Sequence, residues 1–347
     1  MIKDININSK YVYLISDIHS NINLFKKIIN DIKLTKEDYL FILGDVIEKD
    51  IHNIETLDYL MYLKNNYNVY FILGNCDNVI NEFHSPCNIE RLKKYSLILK
   101  NTILNEFLNG IGIDINSNYD LNKALDIIDV KYKKYYDFIN SFELGYTINN
   151  KVLLLHADLF ESKKKNLLSE EFINNLKLKE LNVCGHLPVM LFSNNLDNIT
   201  TTPSIYNNFL YIDGGNNVVP FGSINLIKLN LNNLSYTYKS YNNFDKYIVI
   251  SKQEQSLGTY NALKTKFERF EIIDDLVKYY KDFEIFYGAK SHLVIDNNQI
   301  YGYDTLNIFD ELNVNDIVLV TNYSKEVSII IHNNKVSLID SKKIKKL

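Results

Sequence analysis

The chain has 347 residues, 46% of them hydrophobic and 23% charged, which is enough for one large folded domain and a smaller one. Its net charge of −4 argues against a broad basic surface, so nucleic acid is not an expected partner. The three cysteines lack CxxC spacing, no run reaches about 20 apolar residues, and the N-terminus is unlike a signal peptide, which together predict a cytoplasmic protein that does not enter a membrane.

The first part of the chain alternates between buried strands and helices. Apolar runs at 11–17, 38–45 and 68–75 predict strands, and helical periodicity appears between them at 21–32 and 54–67. Strands that alternate with helices of this length are typical of βαβ units. We therefore predict an α/β fold in which these strands form a parallel sheet.

A helical region and further strands follow. Residues 78–148 are predicted to be mainly helical, and three more buried strands come after them, at 151–158, 181–186 and 208–215. The run 223–240 is predicted to form a hairpin. These elements complete a predicted catalytic domain over residues 1–240.

The composition of the elements changes near Tyr241. Beyond it, short β-like runs surround one stretch with helical periodicity, at about 258–282. The strands of this region lack the polar ends found earlier in the chain. We predict that residues 241–347 form a separate accessory β-rich module, whose role the sequence does not indicate.

Polar side chains follow the strands of the first 240 residues where each strand ends. There are six of them on five strands: Asp17, His19, Asp45, Asn75, His156 and His186. Because ligands of open α/β sheets bind outside the carboxyl ends of the strands, we expect these side chains to meet. Carboxylate, imidazole and amide ligands suit Mn, Fe, Zn or Mg. Six are too many for one catalytic ion with an open position, so two ions that share a bridging carboxylate are predicted.

Glycine precedes three of these residues, namely Asp45, Asn75 and His186. Glycine allows a sharp backbone turn and a close approach to an ion. The order Asp-x-His, Gly-Asp, Gly-Asn, His, Gly-His resembles the calcineurin-like metallophosphoesterase superfamily over about residues 11–240. The resemblance implies a four-layer sandwich of two mixed β-sheets flanked by helices.

The resemblance also implies a binuclear metal centre, with manganese the expected metal and Fe, Zn or Mg as alternatives. One ion would bind Asp17, His19 and Asp45, and the other would share Asp45 and add the remaining ligands: Asn75, His156 and His186. A hydroxide that bridges the ions would attack phosphorus in line. The protein is thereby expected to be a hydrolase of phosphate esters.

Two further motifs, "GHLPV" and "YIDGG", resemble the phosphoprotein-phosphatase branch and its bacterial relatives. That branch implies phosphomonoester substrates, either a protein phosphorylated on serine or threonine or a small phosphate ester. Some bacterial members carry a C-terminal module that resembles an SH3-like barrel. Such a module would suit residues 241–347, and it is expected to bind a partner.

The chain departs from this branch at several positions, among them Cys76, Glu48, Lys49 and Asp158. Cys76 stands where the branch has a histidine that protonates the leaving group, and Asp77, the carboxylate that orients that histidine, is retained. Lys49 stands where an arginine grips the phosphate. We therefore predict catalytic roles for Cys76, Asp77 and Lys49, and substrate contacts for Lys49 and Asn75. His52 and His84 lie close enough in sequence to be substitutes for the missing acid.

Three functions remain open on these residues. The leading one is a metal-dependent phosphomonoesterase similar to the serine/threonine protein phosphatases. An alternative is a phosphodiesterase, because Gly-Asn-Cys-Asp also occurs in small bacterial and archaeal phosphodiesterases with this fold. A further alternative is a catalytically weak metal-binding scaffold, which the departures at Cys76, Glu48, Lys49 and Asp158 would suit.

Overall fold

The computed structural model describes the following residues: 2–83, 89–98, 101–114, 116–117, 119–164, 173–174, 176–192 and 199–347. The chain divides into two compact units. The first unit comprises Met1–Pro188, Pro203–Asn217 and Ile224–Tyr241. The second comprises Val189–Thr202, Val218–Ser223 and Asn242–Leu347. The division of roles between a catalytic domain at 1–240 and an accessory module at 241–347 stays a prediction.

The strands of the first unit form two mixed sheets. They are β1 (Ile2–Ile5), β2 (Tyr11–Ile15), β3 (Tyr39–Ile42), β4 (Asn68–Phe71), β5 (Gly145–Ile148), β6 (Val152–Leu155), β7 (Leu181–Cys184), β8 (Ser204–Tyr206), β9 (Phe209–Tyr211), β10 (Asp213–Gly214), β11 (Ser223–Asn230) and β12 (Tyr236–Tyr241). One sheet has the order β1-β5-β6-β7-β9-β8, and the other has the order β10-β11-β2-β3-β4 with β12 beside β11.

The pairing within these sheets follows the predicted alternation. β2, β3 and β4 are parallel neighbours, as the βαβ pattern predicts, and β11 pairs antiparallel with both β2 and β12. In the other sheet β6, β7 and β9 are parallel, while β5 and β8 run antiparallel to their neighbours β6 and β9. The carboxyl ends of β2, β3 and β4 therefore lie along one edge of their sheet, as do those of β6 and β7 in the other.

The helices of the described chain are α1 (Ile22–Ile32), α2 (Asn53–Asn66), α3 (Ile89–Ile98), α4 (Ile103–Gly110), α5 (Leu121–Lys131), α6 (Lys133–Ile139) and α7 (Leu159–Lys164). Short 3₁₀ segments lie at Asp77–Phe83, Val189–Phe192, Lys290–His292 and Ser341–Lys343. None of the described helices has the length and apolar content needed to cross a bilayer.

Strand β2 shows how the layers form. Val12 and Leu14 point into a core that they share with strands of the other sheet, whereas Ile15 packs into a second core with the helices. This alternation follows from the two-residue period of a strand. Phe25 of α1 is fully buried in the helical core. The predicted fold class, two mixed β-sheets with helices and a β-rich C-terminal region, is confirmed.

The second unit contains three antiparallel sheets. Its strands are β13 (Asp245–Val249), β14 (Tyr260–Asn261), β15 (Thr265–Phe267), β16 (Arg269–Ile273), β17 (Leu276–Lys281), β18 (Glu284–Ala289), β19 (Leu293–Asp296), β20 (Gln299–Gly302), β21 (Thr305–Leu306), β22 (Ile317–Asn322), β23 (Val327–His332), β24 (Lys335–Asp340) and β25 (Ile344–Lys346). The orders are β24-β23-β22-β13-β25, β14-β21-β18-β17-β16 and β15-β20-β19. The resemblance to an SH3-like barrel stays a prediction.

The predicted helical stretch at 258–282 is wrong. The segment forms β14 to β17 instead, and β16 and β17 pair as a hairpin in which Ile273 lies opposite Leu276. Asp274, in the turn between them, adopts a left-handed conformation with φ of 55°. Apolar residues in short runs fit either period, and here the cross-strand pairs decided the outcome.

Candidate metal centre

The residues that follow the strands are held in a strained backbone. Asp17, His19, Asp45 and His186 all adopt left-handed conformations, with φ of 54°, 47°, 51° and 71°. Such conformations cost about 1–3 kcal/mol for residues other than glycine and cluster at functional sites. All four lie in the first unit, directly after β2, β3 and β7. The loops that carry these residues are therefore strained, and the strain is the first indication of a functional site.

Asp45 lies at the centre of this cluster. Its Oδ1 is 3.4 Å from Nε2 of His156, and its Oδ2 is 3.9 Å from Nε2 of His19. Asp45 belongs to two groups of possible metal-ligating residues, and within each group the ligand atoms lie within 4.8 Å of one another. One group adds His19 and Cys76 to Asp45, and the other adds His156 and His186. A single carboxylate therefore faces both clusters.

Backbone carbonyls orient two of the imidazoles. Nδ1 of His156 lies 2.8 Å from the carbonyl of Leu43, and Nδ1 of His19 lies 3.3 Å from the carbonyl of Ile47. Because a carbonyl can only accept, the ring hydrogen belongs on Nδ1 and the lone pair on Nε2. In both rings Nε2 points towards Asp45. A carbonyl that holds the far nitrogen in this way is typical of histidines that bind a metal through Nε2.

The facing atoms at His156 are all acceptors in that tautomer. Nε2 of His156 lies 3.0 Å from Oδ1 of Asn75 and 3.4 Å from Oδ1 of Asp45. The amide of Asn75 donates its Nδ2 hydrogen to the sulfur of Cys76 at 3.4 Å, so its oxygen is the atom turned to His156. These three atoms all carry lone pairs and no hydrogen between them, so together they form a set of ligand atoms that suits a divalent cation.

Asp17 presents a second set of the same kind. Its Oδ2 accepts hydrogen bonds from the hydroxyl of Ser16 and, at 3.0 Å, from the backbone N–H of His186. Its Oδ1 is buried, has no hydrogen-bond partner among the described residues, and lies 3.8 Å from Nε2 of His19. A buried carboxylate oxygen without a donor is costly unless a cation binds it. The residues present therefore fit a divalent metal.

His186 belongs to the ligand group of Asp45 and His156. Its ring centroid lies 5.0 Å from that of His156, and its Nε2 lies 3.8 Å from Oε2 of Glu161. The structure thus brings together all six predicted ligands from five strand ends. Whether all six bind an ion stays a prediction.

The electrostatics of the cluster point the same way. Burial, with the nearby carboxylates of Asp213 and Asp45, raises the pKa of Asp17 well above its usual value. Burial also raises the pKa of Asp45, but the imidazoles of His156 and His19 outweigh it and bring that pKa below the ordinary range. Burial lowers the pKa of His19 to about 3, so this ring is neutral and able to bind a cation. Bound cations would relieve the repulsion between the carboxylates.

Two glycines allow these loops to approach one another. A Cβ on Gly44, which has φ of +83°, would lie 2.5 Å from Nδ1 of His156 and displace that ring. A Cβ on Gly185 would collide with the hydroxyl of Ser16 and the carboxylate of Asp17. Substitution at either position would require a predicted metal ligand to move. The glycines of the motifs are therefore needed for close approach as well as for backbone conformation.

Residues 10–197, more than half of the chain, match the model of the calcineurin-like phosphoesterase family. The chain belongs to this family. It is accordingly a hydrolase of phosphoric ester bonds that uses divalent metal ions, and the predicted resemblance to the superfamily is confirmed.

Comparison with individual proteins adds only distant likenesses to this phosphoesterase. No curated protein matches the chain. A metallophosphoesterase from Sphaerobacter thermophilus is 10% identical, with a TM-score of 0.37 over 68% of this chain and 89% of that one. A serine/threonine phosphatase from Saccharomyces cerevisiae, similar to human PP5, is 12% identical, with a TM-score of 0.40 over 70% of this chain and 84% of that one. These likenesses say nothing about the substrate.

The position of Cys76 in the phosphoesterase admits two roles. Its sulfur belongs to the group with His19 and Asp45, so it lies where a ligand or a proton donor would lie. Burial and the Asp45 carboxylate raise the pKa of the thiol well above its usual value. The thiol is therefore protonated at neutral pH, which is the state that a proton donor needs. The predicted catalytic role of Cys76 stays a prediction.

Asp77 is used differently from the sequence-based expectation that it orients its neighbour. Its Oδ2 accepts the backbone N–H groups of Asp45 and Gly74, each at 2.9 Å. Its Oδ1 accepts those of Val46 at 2.8 Å and Ile47 at 3.3 Å. The carboxylate thus holds the loop that carries Asp45 against the loop that carries Asn75. The geometry makes Asp77 a positioning residue for the two loops that carry predicted ligands, and a direct catalytic role stays a prediction.

Lys49 reaches into the cluster from an exposed position. Its ammonium nitrogen lies 3.0 Å from Nε2 of His19. Of the two histidines considered as substitutes for the acid, His52 pairs with Asp50, its Nδ1 lying 3.4 Å from Oδ1, and His84 lies outside the described residues. Both predicted substrate contacts therefore lie beside a predicted ligand, Lys49 at His19 and Asn75 at His156.

The sequence reasoning missed Asp213. This residue is buried, its Oδ1 accepts the N–H of Gly215 at 2.7 Å, and its Oδ2 has no hydrogen-bond partner in the described part of the chain. Burial raises its pKa to about 6. Its position just after β9, in "YIDGG", carries the same signal as the predicted ligands, a polar residue at the end of a buried strand. That signal would have been sufficient to identify Asp213 from the sequence.

Proposed function

We propose that this phosphoesterase hydrolyses phosphate monoesters at a two-metal centre, with a protein phosphorylated on serine or threonine, or a small phosphate ester, as the substrate. The observation that carries this proposal is the placement of Asp45 in both ligand groups. Bound ions would supply an activated water as nucleophile and neutralise charge on the phosphoryl oxygens. Asp17 and His19 would hold one ion with Asp45.

The other residues would hold the second ion and the substrate. His156, His186 and Asn75 would bind the second ion together with Asp45, and Asp77 would keep the two loops in register through its four backbone contacts. The substrate's phosphoryl group would meet the ammonium of Lys49 at the open side. A lysine is a point charge without the paired donors of an arginine, so this contact would attract the phosphate more than orient it.

Manganese is the proposed metal on the resemblance to the family; the carboxylates of the cluster suit it, whereas the imidazoles also suit Fe or Zn. The sulfur of Cys76 lies close enough to the group of His19 and Asp45 to favour Zn or Fe if it binds as a thiolate. Metal analysis of the purified protein would separate these possibilities. A cytoplasmic location and a partner-binding role for residues 241–347 accompany the proposal on the sequence alone.

A second candidate, phosphodiester hydrolysis, is favoured by Cys76 and Asp77 together. Asp77 gives both its oxygens to backbone N–H groups, so a strong acid for an alkoxide leaving group is not assembled at Cys76. Loss of a positioned acid typically costs about 10²–10⁴ in rate with such leaving groups. A reaction whose leaving group is acidic would be affected least.

The test is hydrolysis of three substrates by the full chain in the presence of Mn²⁺: a phosphoserine peptide, an aryl phosphomonoester and an aryl phosphodiester. The proposal expects both monoesters to be hydrolysed faster than the diester. Preference for the diester would establish the second candidate, and tight Mn²⁺ binding without turnover would establish the metal-binding scaffold. Asp45→Asn should abolish turnover, whereas Asp38→Asn, the same change at the opposite end of β3, should not.

A further inference from the structure

The segment that carries Lys49 is held in an unusual conformation. Glu48 and Lys49 are consecutive residues with φ of 74° and 70°. The N–H of Glu48 donates to Oδ1 of Asn53 at 2.6 Å, and the Glu48 carboxylate accepts from the hydroxyl of Tyr95 at 2.5 Å and from the N–H of Ile103 at 2.9 Å. Left-handed conformations at residues such as Glu and Lys are costly, and these hydrogen bonds help to hold them. The imposed conformation sends the Lys49 side chain to His19.

The contact between Lys49 and His19 uses the atom that a metal would use. Nδ1 of His19 faces the carbonyl of Ile47, so Nε2 carries the lone pair of the neutral ring. The ammonium of Lys49 lies 3.0 Å from that nitrogen, and it has three hydrogens and no lone pair. Nε2 has one lone pair, which can serve an ammonium hydrogen or a divalent ion, but not both.

The charge of Lys49 acts on the same carboxylates that a metal would neutralise. The Lys49 ammonium interacts electrostatically with three buried carboxyl groups: Asp17, Asp45 and Asp213. An ammonium at this position therefore supplies part of the positive charge that a divalent ion would supply. A metal that binds at His19 must both displace this hydrogen bond and tolerate a nearby like charge.

We propose that Lys49 competes with the metal ion for Nε2 of His19, so that the position formed by Asp17, His19 and Asp45 binds metal more weakly than the position at His156. This inference rests on the two-metal site proposed above. Metal binding at His19 releases the Lys49 ammonium, which is then available to a phosphoryl group. The weaker position is thereby coupled to the one side chain that is proposed to attract substrate.

The test is calorimetric titration of Mn²⁺ into the metal-free full chain, with a binding readout that does not need activity. The wild type should show a tighter and a weaker class of site. Lys49→Met should lower the Kd of the weaker class by about 10- to 100-fold, the range that loss of one hydrogen bond to a charged group represents. The tighter class should be unchanged, and Lys36→Met, the same change before β3, should alter neither class.

A second background assigns the effect to His19. In a His19→Ala protein the weaker class should be lost or nearly so, and adding Lys49→Met should restore nothing, because the two residues act on one another. A Lys49→Met protein that binds Mn²⁺ no more tightly than the wild type would overturn this proposal and leave the metal centre standing. If neither the wild type nor Lys49→Met binds Mn²⁺, the proposed two-metal centre is itself refuted. If Lys49→Met does not fold, Lys49→Gln provides the same test.

Discussion

The most informative single substitution is Asp77→Asn. In the wild type both oxygens of Asp77 accept two backbone N–H groups: those of Asp45 and Gly74 at Oδ2, and those of Val46 and Ile47 at Oδ1. An asparagine has one acceptor oxygen, and its NH₂ group would face two N–H donors. Two buried donors are then left without an acceptor. At about 1–3 kcal/mol each, the free energy of unfolding should fall by about 2–6 kcal/mol.

The assay is urea denaturation of the metal-free protein, so that altered metal binding does not add to the difference. Burial and the Asp45 carboxylate raise the pKa of Asp77 to about 7, a cost of ionisation that asparagine does not carry, so the comparison belongs at about pH 6 and the loss should shrink as pH rises to 8. Asp120→Asn is the matched control. Asp120 caps α5 through Oδ1, and asparagine caps a helix equally well, so that variant should be near neutral.

A loss of less than about 1 kcal/mol for Asp77→Asn would refute the reasoning, because it would mean that the four N–H groups find other partners at little cost. A loss of stability in the predicted range accompanied by weaker Mn²⁺ binding would support the assignment of Asp77 as a positioning residue. Full stability with a selective loss of turnover would instead support a direct catalytic role.

Three further predictions concern pH, metal and the acid. Burial raises the pKa of Glu48 in the folded protein from 4.5 to about 7, so its contribution to stability is present below about pH 4.5 and is lost as pH rises through about 7. At pH 8 the free energy of unfolding of Glu48→Gln, measured by urea denaturation, should therefore exceed that of the wild type by about 2–3 kcal/mol. Equal stability of the two proteins at both pH 5 and pH 8 would contradict this prediction. Asp45→Asn should remove nearly all bound Mn²⁺ in metal analysis, and near-normal content would contradict the shared carboxylate. Cys76→His should raise the rate of hydrolysis of a phosphoserine peptide by about 10²-fold, the lower end of the usual contribution of a positioned acid, and should raise the rate on an aryl phosphate less. An unchanged rate on both substrates would mean that no acid is needed at this position.

The sequence determined the architecture of the first unit and the members of the cluster. Runs of buried residues that alternate with helices dictate parallel strands, and parallel strands bring their carboxyl ends to one edge. Polar residues at those ends were therefore predictable as neighbours, and Asp17, Asp45 and His156 are found together. The glycines at the same ends marked where the backbone had to approach closely. Period and position sufficed for these features.

Only the tertiary structure decided what the side chains between the motifs contact. Asp77 was expected to orient Cys76, but its oxygens meet the N–H groups of a loop 30 residues away, as the hydrogen bond from Ile47 shows. Lys49 was expected to face the phosphate, which stays a prediction, and only the structure shows that its ammonium lies beside His19. Such loop conformations are imposed by long-range hydrogen bonds, which carry no periodic signal. In the second unit, likewise, cross-strand partners made strands of a segment whose own pattern favoured a helix.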